Sequence, residues 1–502
     1  MAVTAERFEP RRHVPTALVG TGLAAITLAT AGGSFIPVAA GLTVAATIAA
    51  LARPGLIEWR RLVAPLLLVI LFVPIRRYTL PGNLPFELEP YRVFVALLVI
   101  GWGASLLVDR RTSFRRTGFE GPLLLIVGSA LLSVVVNPDR VAQFSTEVNK
   151  SLMFLLSYVL VVYVIVSVIR RFDDIELLAK VLVVGGAIVA TLSIVEARLG
   201  FNAFNHLSTV APFLHDEGDV GNYQRLGTAK LRVFGSAQHP IALSAALVML
   251  LPLAMYLARR YGQHRWTVCG IALGIACSAT ISRTGILMFV VAVLVFLWLR
   301  PREVRRLWPL LIPALIAVHF VLPGTLGAIK QSFMPAGGLL VEQRASADSS
   351  GSGRLADLGP ALTVWEAQPL LGQGYGTHVV DLEARGIAAN IFDDQWLGTL
   401  LATGVIGFSG WLWFFVRAVR RFGREARRDD SERGWLLACF AAGIAAYAVG
   451  MLTFDAFAFV QVTFLMFVFV AIGSALLAER PTPHIVQAGR TIGRSRASRS
   501  RG

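Results

Sequence analysis

Long apolar runs alternate with short charged segments from one end of the chain to the other. Runs of about 18–20 apolar residues match the length at which a helix crosses the hydrocarbon of a bilayer. Read between charged or Pro/Gly punctuation, the pattern predicts about 14 helices. They fall near 14–32, 34–52, 62–78, 91–108, 119–136, 151–169, 176–198, 238–258, 265–280, 283–299, 307–323, 394–417, 434–453 and 456–478. One run is interrupted: "CSATISRTGILMF" places Arg283 inside an apolar stretch that otherwise reads from Thr267 to Leu299. A charge at mid-membrane costs several kcal/mol, so the pattern predicts a surface turn at 280–283 rather than one long helix.

Composition strengthens this picture. The chain has 502 residues, 55% of them hydrophobic and 16% charged, with a mean hydropathy of +0.64. The expected fold class is an all-α integral membrane protein. The net charge of +16 would suggest nucleic acid in a soluble protein. Here the basic residues cluster in short segments between spans, as the positive-inside rule describes, and no nucleic-acid partner is expected. With the N-terminus placed in the cytoplasm, the inside segments hold 32 of the 47 Lys and Arg residues. Both termini are therefore expected in the cytoplasm, in a multi-pass protein of the cytoplasmic membrane.

The resulting plan has a cytoplasmic N-terminus (1–13) and a helical region (14–323) that includes an external loop at 199–237. A long external loop (324–393), further spans over 394–478 and a basic cytoplasmic tail (479–502) follow. No small-residue cleavage pattern follows the charged start, so the first helix reads as retained. Cys269, Cys277 and Cys439 all fall in apolar runs, with no disulfide or metal spacing. Neither a metal nor a cofactor is expected. Glu196, near an outer end, and Lys180, near an inner end, read as interfacial anchors.

The two long external loops draw attention, because loops of that length in a packed protein are usually functional or disordered. In the second, 335–353 is Gly/Ser-rich and aperiodic, and from Arg354 the pattern turns helical. Leu355, Leu358, Leu362, Val364 and Trp365 fall roughly on one face, which predicts an amphipathic helix at the membrane surface. Then "LGQGYGTHVV" supplies Gly372, Gly374 and Gly376, a backbone suited to tight turns, followed by His378. It follows no strand and opens no long helix, which argues against a dinucleotide site. Asp393 and Asp394 stand where the next helix begins, and capping alone would account for carboxylates there. In the first loop, "AKLRVFGSAQHPIALSAAL" carries Arg232, Gly235 and a His239-Pro240 helix start. His239 reads as a cap or a ligand. External Arg225, Lys230, Arg232, Arg283 and Arg354 are candidates to converge on one anionic group, for which guanidinium is suited.

Taken in order, these motifs resemble the O-antigen ligase and polymerase superfamily of bacterial envelopes. The chain has "RVFGSAQHPIALSAALVMLLPL", then "SRTGIL", then "GRLADLGPALTVWEAQPLLGQGYGTHV", then "DDQWLGTLLATGVIGF", an ordered set over roughly 225–410. The first 200 residues match only as a hydrophobic array. The resemblance implies a metal-independent glycosyltransferase acting outside the cytoplasmic membrane. Its donor would be a glycan on a polyprenyl pyrophosphate carrier and its acceptor a glycan or glycolipid. Arg232, Arg283 and Arg354, which match the motifs, would hold the pyrophosphate as it leaves. Where ligases of this family usually carry His-Asn, this chain has Asp393-Asp394. That departure favours a polymerase or a relative with another acceptor, with an Asp as base and His378 and His239 in reserve. A transporter or flippase of lipid-linked or small solutes is the competing class, and a non-catalytic envelope scaffold a third. Against transport stand the missing internal repeat, the scarcity of ionisable residues within spans and the long external loop.

Overall fold

The structure, a computed structural model, describes residues 59–81, 88–108, 112–217, 232–307, 309, 311–334, 358–377 and 394–479. The two helices expected near 14–32 and 34–52 lie outside these residues, as do Arg225, Lys230, Arg354, His378, Asp393 and the tail beyond Glu479. Within them the regular structure is helical apart from one two-residue strand pair. The helices are α1 (Arg60–Phe72), α2 (Pro90–Val108), α3 (Glu120–Val136), α4 (Pro138–Gln143), α5 (Ser145–Val168) and α6 (Phe172–Leu199). After a one-turn helix (Leu207–Val210) come α7 (Pro240–Tyr261), α8 (His264–Ala279), α9 (Arg283–Leu299), α10 (Pro301–Leu307), α11 (Leu311–Val321) and α12 (Thr325–Phe333). The series closes with α13 (Leu358–Ala367), α14 (Gln395–Arg428), α15 (Glu432–Gly450) and α16 (Val460–Ala478).

Six of these helices (α5, α6, α7, α14, α15 and α16) are long and apolar enough to cross a membrane. The apolar stretch Pro90–Leu106 of α2, and helices α3 and α9, are shorter. The chain is thus an all-α multi-pass membrane protein. Each run expected from residue 62 onward coincides with a helix, though several bounds move. The run expected at 62–78 ends as helix at Phe72, because the chain then turns into strand β1 (Tyr78–Thr79). That strand pairs antiparallel with β2 (His215–Asp216), so the loop after α6 is partly ordered by the end of α1. The helix expected at 394–417 continues to Arg428.

Local chemistry sets the helix ends. α7 opens with Pro240 at its first position, where no backbone N–H is needed, and stops at Gly262 in the left-handed region (φ 59°). α6 starts with Asp173 and Asp174 against its dipole and ends at Gly200 (φ 70°). At the centre lies α16, whose residues Val460–Leu476 are all buried, with α5, α15 and α7 packed around it. α14 crosses α15 and α3, and α6 bridges α1 and α8.

The two ends of the bundle differ. At one end arginines pair with acids: Arg260 with Glu176, Arg259 with Glu432, Arg300 with Asp430 and Arg433 with Asp429. At the other end meet the N-termini of α7, α9 and α14, the C-termini of α1, α6, α8 and α15, and the turn that joins α15 to α16. The motif residues lie at that end.

Candidate functional site

The Arg-x-x-Gly element is fixed from below by a carboxylate. Glu196, in the last turn of α6, accepts hydrogen bonds from the Phe234 and Gly235 amides at 3.2 and 2.9 Å. Asn202 donates to the Gly235 carbonyl at 2.9 Å. Gly235 has φ 54°, and a Cβ there would sit 2.4 Å from Ser193 Oγ, so only glycine lets the loop press onto α6. The interfacial role expected for Glu196 is therefore corrected. The residue is 9% exposed, and a buried carboxylate is retained where it pairs with donors, here two backbone amides. Three residues before the glycine, Arg232 Nε donates to the Thr280 carbonyl at 3.0 Å.

That carbonyl belongs to the turn before Arg283. Ile281 sits at φ 49°, a genuine outlier for a β-branched residue. The strain turns the chain between α8 and α9 in three residues. Ser282 then caps α9, accepting from the Gly285 amide at 3.2 Å. A Cβ on Gly285 would lie 2.7 Å from the Ser244 side chain, so α9 approaches α7 closely at this end. Arg283 is the first residue of α9 and half-buried. It is a turn arginine, as the interrupted run suggests. A cation in the first turn opposes the helix dipole, at a cost of roughly 0.3–1 kcal/mol.

His239 caps α7, its Nδ1 accepting from the Ile241 amide at 3.1 Å, and its ring stacks on Phe459 with centroids 5.5 Å apart. Burial, reinforced by the Arg232 charge, pushes its pKa down to about 3. The imidazole is thus neutral at physiological pH and supplies no positive charge to an anion.

Asp394 caps α14: its Oδ1 accepts from the Trp396 and Leu397 amides at 2.8 and 3.2 Å. The next residues pin this end to the α15–α16 turn. Gln395 N donates to the Met451 carbonyl at 2.9 Å, Gln395 Oε1 accepts from the Phe457 amide at 2.7 Å, and Trp396 Nε1 donates to the Ala448 carbonyl at 2.9 Å. Thr453 of the same turn donates to Thr284, beside Arg283, at 2.9 Å. The "MLTFDAFAF" turn therefore touches the starts of α7, α9 and α14. It carries half-buried Asp455, which the sequence reading missed. An acid inside an otherwise apolar hairpin was the available signal.

The three glycines make the tight turns that their spacing suggests, and those turns serve a docking contact. Gly372, Gly374 and Gly376 have φ of 68°, 112° and 81°, and the loop they form docks into a break in α14. Gly404 leaves helical geometry (φ 64°, ψ −167°), and a Cβ there would be 2.2 Å from the Leu370 carbonyl oxygen. The groups freed by the break are re-satisfied by the loop. Val405 N donates to the Pro369 carbonyl and Gln373 N to the Leu401 carbonyl, at 2.9 and 2.8 Å. Ser133 and Asn137 of the α3 end bond the Ala402 and Gly372 carbonyls at 2.6 and 2.9 Å. The amphipathic helix expected here exists as α13, but it packs Ala361, Val364 and Trp365 on Leu397 and Leu401 of α14. Leu362, expected on that face, is exposed.

The structure thus brings Arg232, Arg283, His239 and Asp394 around one turn, with the glycine loop braced against the first turns of α14. Arg225, Arg354, His378 and Asp393 are outside the described residues. An anion entering this end meets two guanidinium-bearing elements and the N-termini of three helices, each carrying partial positive charge.

Comparison with known proteins agrees with the motif order. Residues 267–412 match the family model described as O-antigen ligase (Wzy_C). The match runs from α8 through the Arg283 turn, α13 and the glycine loop into α14. No curated protein matches the chain significantly.

Proposed function

We propose that the chain is an envelope glycosyltransferase of the polymerase or ligase type, working at the end of the bundle where Arg232 and Arg283 lie. One observation carries the reading: the Arg232 side chain is bonded to the strained turn that opens on Arg283. That bond ties together two loops, about 50 residues apart in sequence, that each carry one of the arginines.

In this reading the donor is a glycan on a polyprenyl pyrophosphate. An acceptor sugar hydroxyl attacks the anomeric carbon, and a carboxylate takes the hydroxyl proton. The new C–O bond forms as the anomeric carbon–phosphate oxygen bond breaks, with that electron pair leaving on the pyrophosphate. Arg232, Arg283 and Arg354 stabilise the charge that develops there, near lipid where screening is weak. Asp394 is committed to capping α14, so the base is assigned to Asp393. The face is taken as external because the Arg-rich end is the cytoplasmic one under the positive-inside rule.

The test compares carrier-linked glycans in membranes with and without the protein. Accumulated single units with loss of the long ladder identify a polymerase. Long carrier-linked chains that fail to transfer identify a ligase. An unchanged profile overturns both. Asp393→Asn is expected to abolish turnover while donor binding persists. Asp394→Asn keeps a good cap and is expected to leave turnover near wild type; loss of turnover there moves the base to Asp394.

A further inference from the structure

α14 runs past the length a membrane requires. From Gln395 to Arg417 the rise is ~33 Å at 1.5 Å per residue, close to the hydrocarbon thickness of a bilayer. From that point the helix carries Arg417, Arg420, Arg421 and Arg424, a 3-1-3 spacing that keeps all four on one face. With Trp413 and Val416 they line an open groove of about 400 Å³. This end of α14 is opposite the site described above.

The arginines of this groove differ from their neighbours. Arg259, Arg260, Arg300, Arg428 and Arg433 each pair with a carboxylate. Among the described residues no carboxylate lies within 4.0 Å of Arg417, Arg420, Arg421 or Arg424. Arg417 Nε and Arg421 Nη1 donate to the neutral Gly118 and Thr117 carbonyls, both at 2.6 Å, which fixes them against the start of α3. Glu120 and Glu425 are the nearby acids, felt by Arg421. Glu120 is spent on the Thr117 and Gly118 amides, and Glu425 pairs with Arg428. Four cations on one stripe repel each other unless an anion lies among them. On the bilayer side the groove is apolar, with Trp413 and Val416 left 44% and 38% exposed. Tryptophan is favoured at the level of lipid headgroups.

We propose that this groove binds an anionic phospholipid of the leaflet at the Arg-rich end. The headgroup phosphate lies between Arg420 and Arg424, one turn apart, with Arg417 and Arg421 at its edge. The first acyl carbons lie along Trp413 and Val416. Charge and depth together select the ligand: a free anion has no use for the apolar wall, and a zwitterionic lipid cannot offset four like charges as well.

The experiment counts lipids bound to the purified full-length protein by native mass spectrometry, with phosphatidylglycerol and phosphatidylcholine offered in equal amounts. Wild type is expected to prefer phosphatidylglycerol at least tenfold, and Arg420→Gln/Arg424→Gln to lose that preference. Equal binding of the two lipids by wild type, or a preference that survives in the double variant, overturns the proposal. Inorganic phosphate that displaces the lipid at matched concentration overturns it in favour of a free-anion site. Should the double variant fail to fold, wild type decides alone. Its thermal midpoint is expected to rise with phosphatidylglycerol at low salt and much less at high salt, and a salt-independent rise rejects the site.

Discussion

Two side chains at the Arg232–Arg283 end make opposite use of their chemistry. Arg283 places a fixed charge where the α9 dipole opposes it, while His239 holds a titratable ring neutral against Phe459. In the proposed reaction Arg283 offers its guanidinium fork to the leaving pyrophosphate, a geometry that an ammonium cannot reproduce. Arg283→Lys is expected to lower kcat/KM for glycan transfer by roughly one to two orders of magnitude at unchanged folding. Full activity in that variant would remove Arg283 from the clamp. For His239, burial and Arg232 depress the folded pKa to about 3 from the ordinary 6.5. The unfolded chain then binds the extra proton between those values, so this residue's stabilisation is complete above pH 6.5 and is lost as pH falls toward 3. Wild type is expected to lose on the order of 2 kcal/mol of stability between pH 7 and 5 through this ring. His239→Asn keeps a capping acceptor and removes the proton, so its thermal midpoint should depend less on pH over that interval. Retained turnover in His239→Asn would also exclude the imidazole as the base.

Among the elements, α14 shows most clearly what the sequence could and could not announce. Its start was legible, since Asp394 followed by Trp396 and Leu397 reads as a cap before an apolar run. The break at Gly404 was not. A glycine inside an apolar stretch at helical spacing fits a straight helix as well as a kinked one, and only the Leu370 backbone beside it decides. The same holds for Glu196: a carboxylate near the end of an apolar run looks like an interfacial residue until the Phe234 and Gly235 amides are seen to point at it. Arg283 was legible because an arginine inside an apolar run has few places to go. Gly404→Ala tests the break directly. Alanine at φ 64° is strained and its Cβ meets the Leu370 carbonyl oxygen, so a loss of about 3 kcal/mol is expected. The glycine loop should release from α14, read as faster proteolysis between residues 368 and 377. A variant as stable and as resistant as wild type would mean that the loop does not depend on the break.

At the scale of the whole molecule, the two ends of the bundle are distinct in charge as well as in contacts, and this sets the remaining prediction. The end bearing Glu176, Arg260, Arg300, Asp430 and Arg433 combines ion pairs with a surplus of arginine, while the motif end gathers helix N-termini and pairs Arg77 with Asp216 and Arg92 with Glu89. In the proposed orientation, arginine stays on the cytoplasmic side and the motif end faces outward. Leu452, in the α15–α16 turn, is 50% exposed, and the Asp430 side chain, between α14 and α15, is 93% exposed. In a background lacking Cys269, Cys277 and Cys439, Leu452→Cys should react with a membrane-impermeant maleimide in intact cells from which any outer barrier has been removed. Asp430→Cys should react only after the membrane is opened. The reverse pattern would turn the molecule over and place the arginine site in the cytoplasm, where a carrier-linked glycan would meet it before export. Labelling of both residues in intact cells would show that α15 does not separate two compartments, and the bundle would then need a different membrane plane.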